Sequence, residues 1–309
     1  MRISIVIPFY KNEEDINHLV SMLNTQSSEF LDAGSNLEPI LVIDGSPDNS
    51  LEILIRNKEE GFLPSETKIV KLSRNFGQIS ALMAGMEVAS GDCVICYSAD
   101  MQDPAILFMP MYKSYRSGNE VVLAVRMARK DHWFRNLTSK LGYGLLRLEM
   151  PEVPKGGFDF FLVGNKAKEL LISRAGGRRF LQGDILKLGF SREIIKYSRE
   201  KRSFGKSSYT FRKRLALFSD AFYDTSDLPI KFGTRIGFAI SAIGFLATFF
   251  VLASYIKDES PFNGFTALLC TTLILGGLQL ALIGIIGEYI FRTFDIVRNR
   301  PRFIIEKIY

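Results

Sequence analysis

Short apolar runs, each of the length of a buried strand, recur through the first hundred residues. They cover residues 3–8, 39–43, 68–72 and 93–97. Helical patterns separate them, one from Asn12 to about Thr25 and one of small residues from about Ile79 to Ala89. Strands that alternate with helices predict an α/β fold, with a mostly parallel, doubly wound sheet and helices on both faces.

The last third of the chain has a different pattern. Residues 236–256 and 265–287 carry no charged side chain, and each segment exceeds the roughly 20 residues that cross about 30 Å of hydrocarbon as a helix. A turn-rich loop, 257–264, joins them. The pair predicts a transmembrane hairpin, with a buried core hairpin as the alternative. Residues 211–222 place aromatic and leucine side chains at helical spacing, which fits an amphipathic juxtamembrane helix or a helix packed on the domain.

Charge sets the expected orientation of this hairpin. Lys231 and Arg235 precede the first span, and basic residues follow the second: Arg292, Arg298, Arg300, Arg302 and Lys307. The connecting loop has one lysine against two acids. The positive-inside rule therefore places both termini and the large amino-terminal domain in the cytoplasm, at the inner (plasma) membrane. No cleavable signal peptide is expected at the amino terminus.

These patterns divide the 309 residues into a cytoplasmic domain (1–210), a juxtamembrane helix (211–229), the hairpin (230–291) and a basic tail (292–309). The formal net charge is +6, which suits an anionic bilayer or nucleic acid; the apolar spans favour the bilayer and no nucleic acid. The end of the tail has strand-like composition. An unpaired strand seeks a sheet edge, so pairing with a neighbouring subunit in a homo-oligomer is a hypothesis.

Cys93 and Cys96 have the spacing of a metal or redox pair. They lie in a predicted strand, however, where positions three apart face opposite sides of the sheet. We therefore interpret both as core residues.

Acidic and amide side chains follow two of the predicted strands. Asp44 ends the second strand, and Asp100 and Gln102 follow the fourth. The two strands could lie side by side, and open α/β sheets bind ligands at the carboxyl edge. If the extended geometry continues, the side chains of Asp100 and Gln102 point the same way and suit Mg²⁺ or Mn²⁺. A surface turn rich in hydrogen-bonding side chains is the alternative.

Nucleotide binding is a further expectation for this edge. One strand-tip aspartate can bind a nucleobase or a ribose hydroxyl, while the other holds a metal on a diphosphate. No G-x-G-x-x-G loop follows any strand, and no Walker-type loop is present. The layout is typical of a nucleotide-sugar site rather than a dinucleotide site.

Four segments, residues 6–14, 43–48, 74–77 and 100–104, together resemble the family 2 glycosyltransferases with a GT-A, Rossmann-like fold. More narrowly, the chain resembles polyprenyl-phosphate glycosyltransferases: dolichyl-phosphate mannose synthase and the bacterial undecaprenyl-phosphate glucosyl- and aminoarabinosyl-transferases. The resemblance runs through nearly the whole chain, including the two spans.

This resemblance implies a role for named residues. Asp100 and Gln102 would bind the metal. Nucleotide-sugar binding would fall to Pro8, Tyr10, Glu14, Asp44, Arg74, Asp100, Arg202, Lys206 and Ser207. The last three lie on a basic loop in which Ser208 stands where the family has lysine, so that Lys206 would supply the charge. A solvated basic loop is the alternative.

The acceptor side is implied in the same way. Asp159, in a segment similar to the family's Gly-Asp-Phe-Arg-Leu, would be the catalytic carboxylate. Arg126, Arg135 and Ser139 would bind the lipid phosphate. Ordinary surface charge for the arginines and a turn role for Asp159 are the alternatives.

The resemblance implies inverting transfer of a sugar from a nucleotide-diphosphate sugar, UDP-linked rather than GDP-linked, to a polyprenyl phosphate such as undecaprenyl phosphate. A GDP-mannose-dependent mannosyltransferase is one alternative. A catalytically inactive membrane adaptor is another, because Ser98 and Ile43 stand where the family has aspartate. A processive polysaccharide synthase is disfavoured, since the single tryptophan, Trp133, is not part of a Gln-x-x-Arg-Trp motif.

Overall fold

The structure, a computed structural model, describes residues 1–127, 152–154, 157–173, 180–198, 233, 235–236, 239–240, 246, 264–297 and 301–309. Its strands are β1 (Arg2–Phe9), β2 (Asn36–Ile43), β3 (Lys68–Leu72), β4 (Cys93–Cys96), β5 (Val121–Arg126), β6 (Phe160–Gly164), β7 (Arg192–Tyr197) and β8 (Ile305–Ile308). Its helices are α1 (Ile16–Asp32), α2 (Ser50–Glu59), α3 (Gln78–Val88), α4 (Phe108–Arg116), α5 (Asn165–Ser173), α6 (Leu181–Lys187) and α7 (Gly264–Val297). Short 3₁₀ turns, Glu13–Asp15 and Ala105–Leu107, precede α1 and α4.

The described strands form one eight-stranded sheet in the order β7-β5-β6-β4-β1-β2-β3-β8. The strands β1 to β5 and β7 run in one direction, while β6 and β8 run against their neighbours. The prediction of a mostly parallel sheet is confirmed. The prediction that Asp44 and Asp100 end neighbouring strands is wrong, because β1 pairs with both β2 and β4 and therefore separates them.

Two hydrophobic clusters cover the two faces of this sheet. Alternate β1 residues contribute to different clusters, with Ile5 in one and Val6 in the other. The first cluster includes α1 and α4, and the second includes α3, α5 and α6. Because side chains alternate across a strand, each face is buried beneath its own helices. The expected doubly wound arrangement is confirmed.

The cysteine pair lies in β4, as expected for core residues. Both thiols are free and buried, Cys93 in the first cluster and Cys96 in the second. Burial raises the pKa of both thiols far above the usual range. Because the two thiols are buried on opposite faces of the sheet, they cannot act together as a metal or redox pair, and the core interpretation is favoured.

Helix α1 continues seven residues past the predicted end at Thr25. Phe30 is fully buried and extends the apolar face by another turn. The helix stops just before Gly34, which has φ +71°. The predicted strands and the small-residue helix agree with the observed bounds to within three residues at each end.

The amino edge of the sheet is fixed by a buried carboxylate on β2. Glu38 is fully buried and forms an ion pair of 2.7 Å with Nζ of Lys68 on β3. It also accepts hydrogen bonds from the hydroxyls of Ser4 and Ser90 and from the Ser90 amide. Burial alone would raise the pKa of Glu38, but Lys68 and the serines outweigh it and lower the pKa to about 2. Glu38 thus ties β1, β2 and β3 to the segment before β4.

Helix α7 covers the second predicted membrane span and continues to Val297. Several of its apolar side chains are exposed, among them Leu268, Leu280 and Val297. Among the described residues, no helix combines the length and the apolar content that crossing a membrane requires. The first predicted span and the juxtamembrane helix lie almost wholly outside the described residues, so the hairpin stays a prediction.

The predicted tail strand is β8, which pairs antiparallel with β3 of the same chain. Lys71 on β3 and Glu306 on β8 form an ion pair of 2.7 Å, and Nζ of Lys58 donates to the Tyr309 carbonyl oxygen over 2.8 Å. The sheet edge with which the tail strand pairs, β3, therefore belongs to the same chain. A homo-oligomer formed through the tail stays a prediction.

Candidate active site

The carboxyl edge of the sheet gathers most of the predicted site residues. The strands β1, β2, β3, β4, β5 and β7 all end there, and the antiparallel β6 begins there. Asp44 follows β2, Asp100 lies in the loop after β4, Arg126 ends β5 and Asp159 immediately precedes β6. Strand direction therefore brings residues far apart in sequence to one edge.

The turns after β1 and β2 are bound to each other. The Lys11 amide donates to Oγ of Ser46 over 2.7 Å, and the Glu13 amide donates to Oδ2 of Asp48 over 3.2 Å. In return, the Asn49 amide donates to Oε2 of Glu13. Burial raises the pKa of Asp48, but hydrogen bonds from Ser46, Ser50 and the Glu13 amide outweigh it, so the pKa lies below its usual value.

Lys11 itself adopts a left-handed backbone conformation, with φ +60°. A non-glycine residue holds this conformation only when its surroundings impose it, and such residues cluster at functional sites. Its ammonium lies 5.6 Å from the centroid of the Tyr10 ring, and the Tyr10 side chain is exposed. Pro8 lies in β1, and Glu14 is exposed in the following turn.

Asp44 holds the loop that follows β3. Its Oδ1 accepts a hydrogen bond from the Phe76 amide over 2.7 Å, and its Oδ2 accepts one from the Gly77 amide over 2.9 Å. Arg74 in the same loop stacks on the Phe76 ring, 4.6 Å from its centroid. Burial raises the pKa of Asp44 and the two amides lower it, with a net increase. Asp44 thus orders the loop, and its predicted direct contact with a nucleotide stays a prediction.

The loop approaches the β2 turn so closely that only glycine fits. Gly45 has φ +56°, and a Cβ added there would lie 2.3 Å from the backbone nitrogen of Asn75 and 2.4 Å from the carbonyl carbon of Arg74. Both backbone conformation and space therefore require glycine.

The segment from Ser98 to Gln102 forms a turn rather than an extended strand. Met101 has φ +46°, and its amide donates to the Ser98 carbonyl over 3.2 Å. The backbone N–H of Gln102 donates to Oδ1 of Asp100 over 3.4 Å, so the Asp100 side chain closes an Asx turn. The expectation that extended geometry aligns Asp100 with Gln102 is wrong, because Met101 reverses the chain direction between them. Whether both bind a metal stays a prediction.

The side-chain oxygens of Asp100 and Gln102 are ligands that a hard divalent cation accepts. Carboxylate and amide oxygens are suitable ligands, and Mg²⁺ commonly takes one or two protein carboxylates and completes its shell with phosphate and water. Within the described ranges, no group of three or more histidine, cysteine, aspartate or glutamate side chains is placed to hold a metal.

Arg126 and Asp159, assigned to different tasks from the sequence, lie in direct contact. Nη2 of Arg126 donates to Oδ2 of Asp159 over 3.1 Å, and Nε2 of Gln182 donates to Oδ1 of Asp159 over 3.0 Å. On the inner side, Nε of Arg126 contacts the Tyr197 hydroxyl at 3.2 Å and Oδ1 of Asp103 at 3.6 Å. Burial lowers the pKa of Arg126, but the two aspartates outweigh it and raise the pKa.

Three members of this group received no role from the sequence: Asp103, Gln182 and Tyr197. Asp103 lies in the same motif as Asp100, so that motif could have indicated a role for Asp103. Gln182 and Tyr197 reach the site from α6 and β7, and no local pattern marks either one. The predicted residues Arg135, Ser139, Arg202, Lys206 and Ser207 lie outside the described residues.

Comparison with known proteins identifies the family. The model for glycosyl transferase family 2 matches residues 4–170. The chain belongs to glycosyltransferase family 2. The match covers β1 to β6 and thus includes Asp44, Asp100, Arg126 and Asp159.

Relatives match over the full length. The Bacillus subtilis glycosyltransferase YkcC is 33% identical over 99% of this chain and 94% of its own. A prophage-derived bactoprenol glucosyl transferase of Shigella flexneri is 30% identical over 99% of this chain and 98% of its own. This family 2 protein is therefore a glycosyltransferase, and the family assignment favours an enzyme over an inactive adaptor.

Solved structures support the GT-A fold. Mannosyl-3-phosphoglycerate synthase from Rubrobacter xylanophilus has a TM-score of 0.52 with 17% identity, covering 71% of each chain. Glucosyl-3-phosphoglycerate synthase from Mycobacterium tuberculosis, solved with Mn²⁺, UDP and glucosyl-3-phosphoglycerate, has a TM-score of 0.50 with 18% identity. It covers 72% of this chain and 78% of its own. The family 2 domain of this protein therefore has the Rossmann-like GT-A sheet.

Proposed function

We propose that this glycosyltransferase transfers a sugar from a nucleotide-diphosphate sugar to the phosphate of a polyprenyl carrier such as undecaprenyl phosphate. The observation that carries the proposal is the Arg126–Asp159 pair at the same sheet edge as the Asp100 turn. The Arg126 guanidinium offers positive charge to an anionic acceptor, and Asp159 places a carboxylate next to it. The bactoprenol glucosyl transferases, similar over nearly the whole chain, support a polyprenyl acceptor.

The acceptor chemistry determines what these two residues do. A phosphate monoester has a second pKa near 6, so its attacking oxygen is already largely anionic at neutral pH. Arg126 binds and orients this phosphate through charge-assisted hydrogen bonds. Asp159 positions the acceptor or the sugar, or takes the residual proton. Attack opposite the leaving diphosphate inverts the anomeric carbon, with oxocarbenium-like character by analogy with other glycosyl transfers.

The donor lies, in this proposal, between the Asp44-ordered loop and the Asp100 turn. Arg74 is held over Phe76 by that loop, and Pro8, Tyr10 and Glu14 line the neighbouring edge. A uridine diphosphate sugar is the proposed donor, which agrees with the UDP complex of the M. tuberculosis glucosyl-3-phosphoglycerate synthase. Arg202, Lys206 and Ser207 complete the donor site, and Arg135 and Ser139 the acceptor site, as the family resemblance implies.

We further propose a divalent cation, Mg²⁺ or Mn²⁺, held by Asp100 and Gln102. When bound, such an ion would supply positive charge that neutralises the leaving diphosphate. The protein's own part is to present the Asp100 carboxylate and the Gln102 amide from one tight turn. The Mn²⁺ complex of the M. tuberculosis glucosyl-3-phosphoglycerate synthase supports this proposal.

Attachment to the plasma membrane is part of the same proposal, because a polyprenyl carrier resides in the bilayer. The exposed apolar side chains of α7 support contact with lipid. We propose that both termini and the catalytic domain face the cytoplasm, where nucleotide sugars are available.

The test is transfer of label by the full-length protein in membranes. Undecaprenyl phosphate is supplied with labelled UDP-glucose, UDP-N-acetylglucosamine or GDP-mannose, in Mn²⁺, in Mg²⁺ and after chelation. We expect metal-dependent label in the organic-extractable lipid from a UDP-sugar, and loss of label in Asp100→Ala. If only GDP-mannose labels the lipid, the proposed UDP-sugar donor is wrong and the donor is GDP-mannose. If no donor labels the lipid, the proposed polyprenyl-phosphate acceptor is wrong.

A further inference from the structure

The guanidinium of Arg126 has an inner side and an outer side with different partners. Its outer nitrogen, Nη2, binds Asp159, whose side chain is more than half exposed. Its inner nitrogen, Nε, contacts the Tyr197 hydroxyl and the Asp103 carboxylate. The Asp103 side chain is 1% exposed, so the inner side is shielded from water and the outer side faces the site.

Strand pairing sets up the inner contacts. Arg126 and Tyr197 are register partners on the parallel strands β5 and β7, so they leave the sheet side by side. The Met127 amide donates to the Tyr197 carbonyl over 2.8 Å and continues the ladder past the strand end. This pairing brings the Tyr197 side chain next to that of Arg126.

The phenol of Tyr197 links the other two side chains. It donates to Oδ1 of Asp103 and accepts from Nε of Arg126 over 3.2 Å. Burial and Asp103 raise the pKa of Tyr197 far above its usual value, so the phenol keeps its proton and remains a donor. The Tyr197 ring packs edge-on against Phe160, at 6.3 Å between centroids. Both the ring and the hydroxyl of Tyr197 are therefore fixed.

Asp103 is fixed from a second direction. The hydroxyl of Tyr97 donates to its carbonyl oxygen, and the Tyr97 ring also packs edge-on against Phe160. A buried carboxylate needs a compensating cation, and Arg126 is in ion-pair range of it. The inner side of Arg126 is thus occupied by an ordered acceptor.

We propose that Tyr197 and Asp103 are positioning residues that hold the inner side of Arg126, so that its outer nitrogens are presented to the acceptor phosphate. This inference rests on the proposed function. An arginine has five donors in a rigid fork, so fixing Nε fixes the direction of the remaining donors. The phosphate and Asp159 then meet the same outer side of Arg126, which places the carboxylate beside the bound acceptor.

The first test is Tyr197→Phe in the full-length protein, because this change removes one oxygen and keeps the ring packed on Phe160. We expect the KM for undecaprenyl phosphate to rise about tenfold, as for loss of a hydrogen bond to a charged group. The KM for the nucleotide sugar should stay within about twofold. The control is Tyr115→Phe, which removes a hydroxyl that donates to the Asp92 carbonyl at the opposite edge of the sheet; it should change neither constant.

A double-mutant cycle separates positioning from general support of the fold. Lysine at position 126 has no Nε in the fork geometry, so Arg126→Lys already loses the contact with Tyr197. Adding Tyr197→Phe to Arg126→Lys should then change the acceptor KM less than about twofold. A full further tenfold loss in that background, or an unchanged acceptor KM in Tyr197→Phe alone, would overturn the positioning role. Failure of the wild-type protein to use any polyprenyl phosphate would instead overturn the proposed function, and this inference with it.

Discussion

Arg126 donates to Asp159 across the end of the sheet, with 3.1 Å between Nη2 and Oδ2. The first residue ends β5 and the second precedes β6, and these strands are antiparallel neighbours. The contact joins the predicted phosphate-binding residue to the predicted catalytic carboxylate. If the acceptor phosphate binds Arg126, as we propose, it lies beside the carboxylate of Asp159. This arrangement would place Asp159 at the reaction centre.

We expect Asp159→Asn to lower kcat for transfer to undecaprenyl phosphate by about 100-fold, because the carboxylate would no longer position the acceptor or the sugar or take the residual proton. Asparagine is nearly isosteric and retains one oxygen that can face Arg126, so the fold should be preserved. The measurement is steady-state transfer with the donor at saturation. Glu169→Gln is the control, since Glu169 is an exposed carboxylate on α5. An unchanged kcat in Asp159→Asn would show that the carboxylate has no chemical role.

Much of this site follows from the sequence, because the direction of parallel strands is implied by alternating strands and helices. Asp44 and Asp100 were each placed after a predicted strand by an apolar run that stops at polar residues. Sharing one direction brings those ends to one edge, whatever the order of the strands. The order itself is a tertiary property, so the insertion of β1 between β2 and β4 had no local signal.

The contacts within the site were less predictable. Tyr197 and Asp103 are 94 residues apart, and neither is unusual in its local pattern. Met101 was expected in an extended conformation, but its left-handed backbone turns the segment between Asp100 and Gln102. Such a conformation in a non-glycine residue depends on surrounding contacts rather than on local propensity.

Gly45→Ala should displace the loop that follows β3, which we propose lies beside the nucleotide sugar. A Cβ at this position would lie 2.3 Å from the Asn75 nitrogen, and the residue has φ +56°. We expect the KM for the nucleotide sugar to rise at least about fivefold, because moving the loop would break the hydrogen bonds that the Phe76 and Gly77 amides donate to Asp44. The matched control is Gly34→Ala, where φ is +71° but nothing lies within 4 Å of the added Cβ. If both variants raise this KM equally, backbone strain rather than loop displacement is the cause.

Ser98→Asp should lower the metal concentration needed for half-maximal activity by about tenfold. The Ser98 carbonyl accepts from the Met101 amide, so residue 98 belongs to the same turn as Asp100. A second carboxylate at this turn would add an anionic oxygen for a hard cation. Metal titration of transfer activity is the measurement, with Ser98→Ala as the uncharged control. An unchanged requirement in Ser98→Asp would place residue 98 outside the metal shell.

Glu38→Gln should make the stability of the protein less dependent on pH. The Glu38 pKa falls from 4.5 to about 2 in the folded protein, so its carboxylate stabilises the fold at pH values above the unfolded pKa. This contribution is lost as the pH falls through about 2. A shift of this size corresponds to roughly 3 kcal/mol at most. We expect Glu38→Gln to lower the free energy of unfolding by about 2–3 kcal/mol near pH 7, and by progressively less between about pH 4.5 and pH 2.

Unfolding of the full-length protein at several pH values measures this difference. Glu66→Gln serves as the control, since Glu66 forms an exposed ion pair with Arg2 at 3.4 Å and such pairs contribute little. A destabilisation of Glu38→Gln that is equal at pH 7 and pH 3 would indicate lost packing or hydrogen bonding, not the loss of the carboxylate charge. A difference that narrows on acidification would show that the Glu38–Lys68 ion pair and its serine donors hold the amino edge of the sheet together.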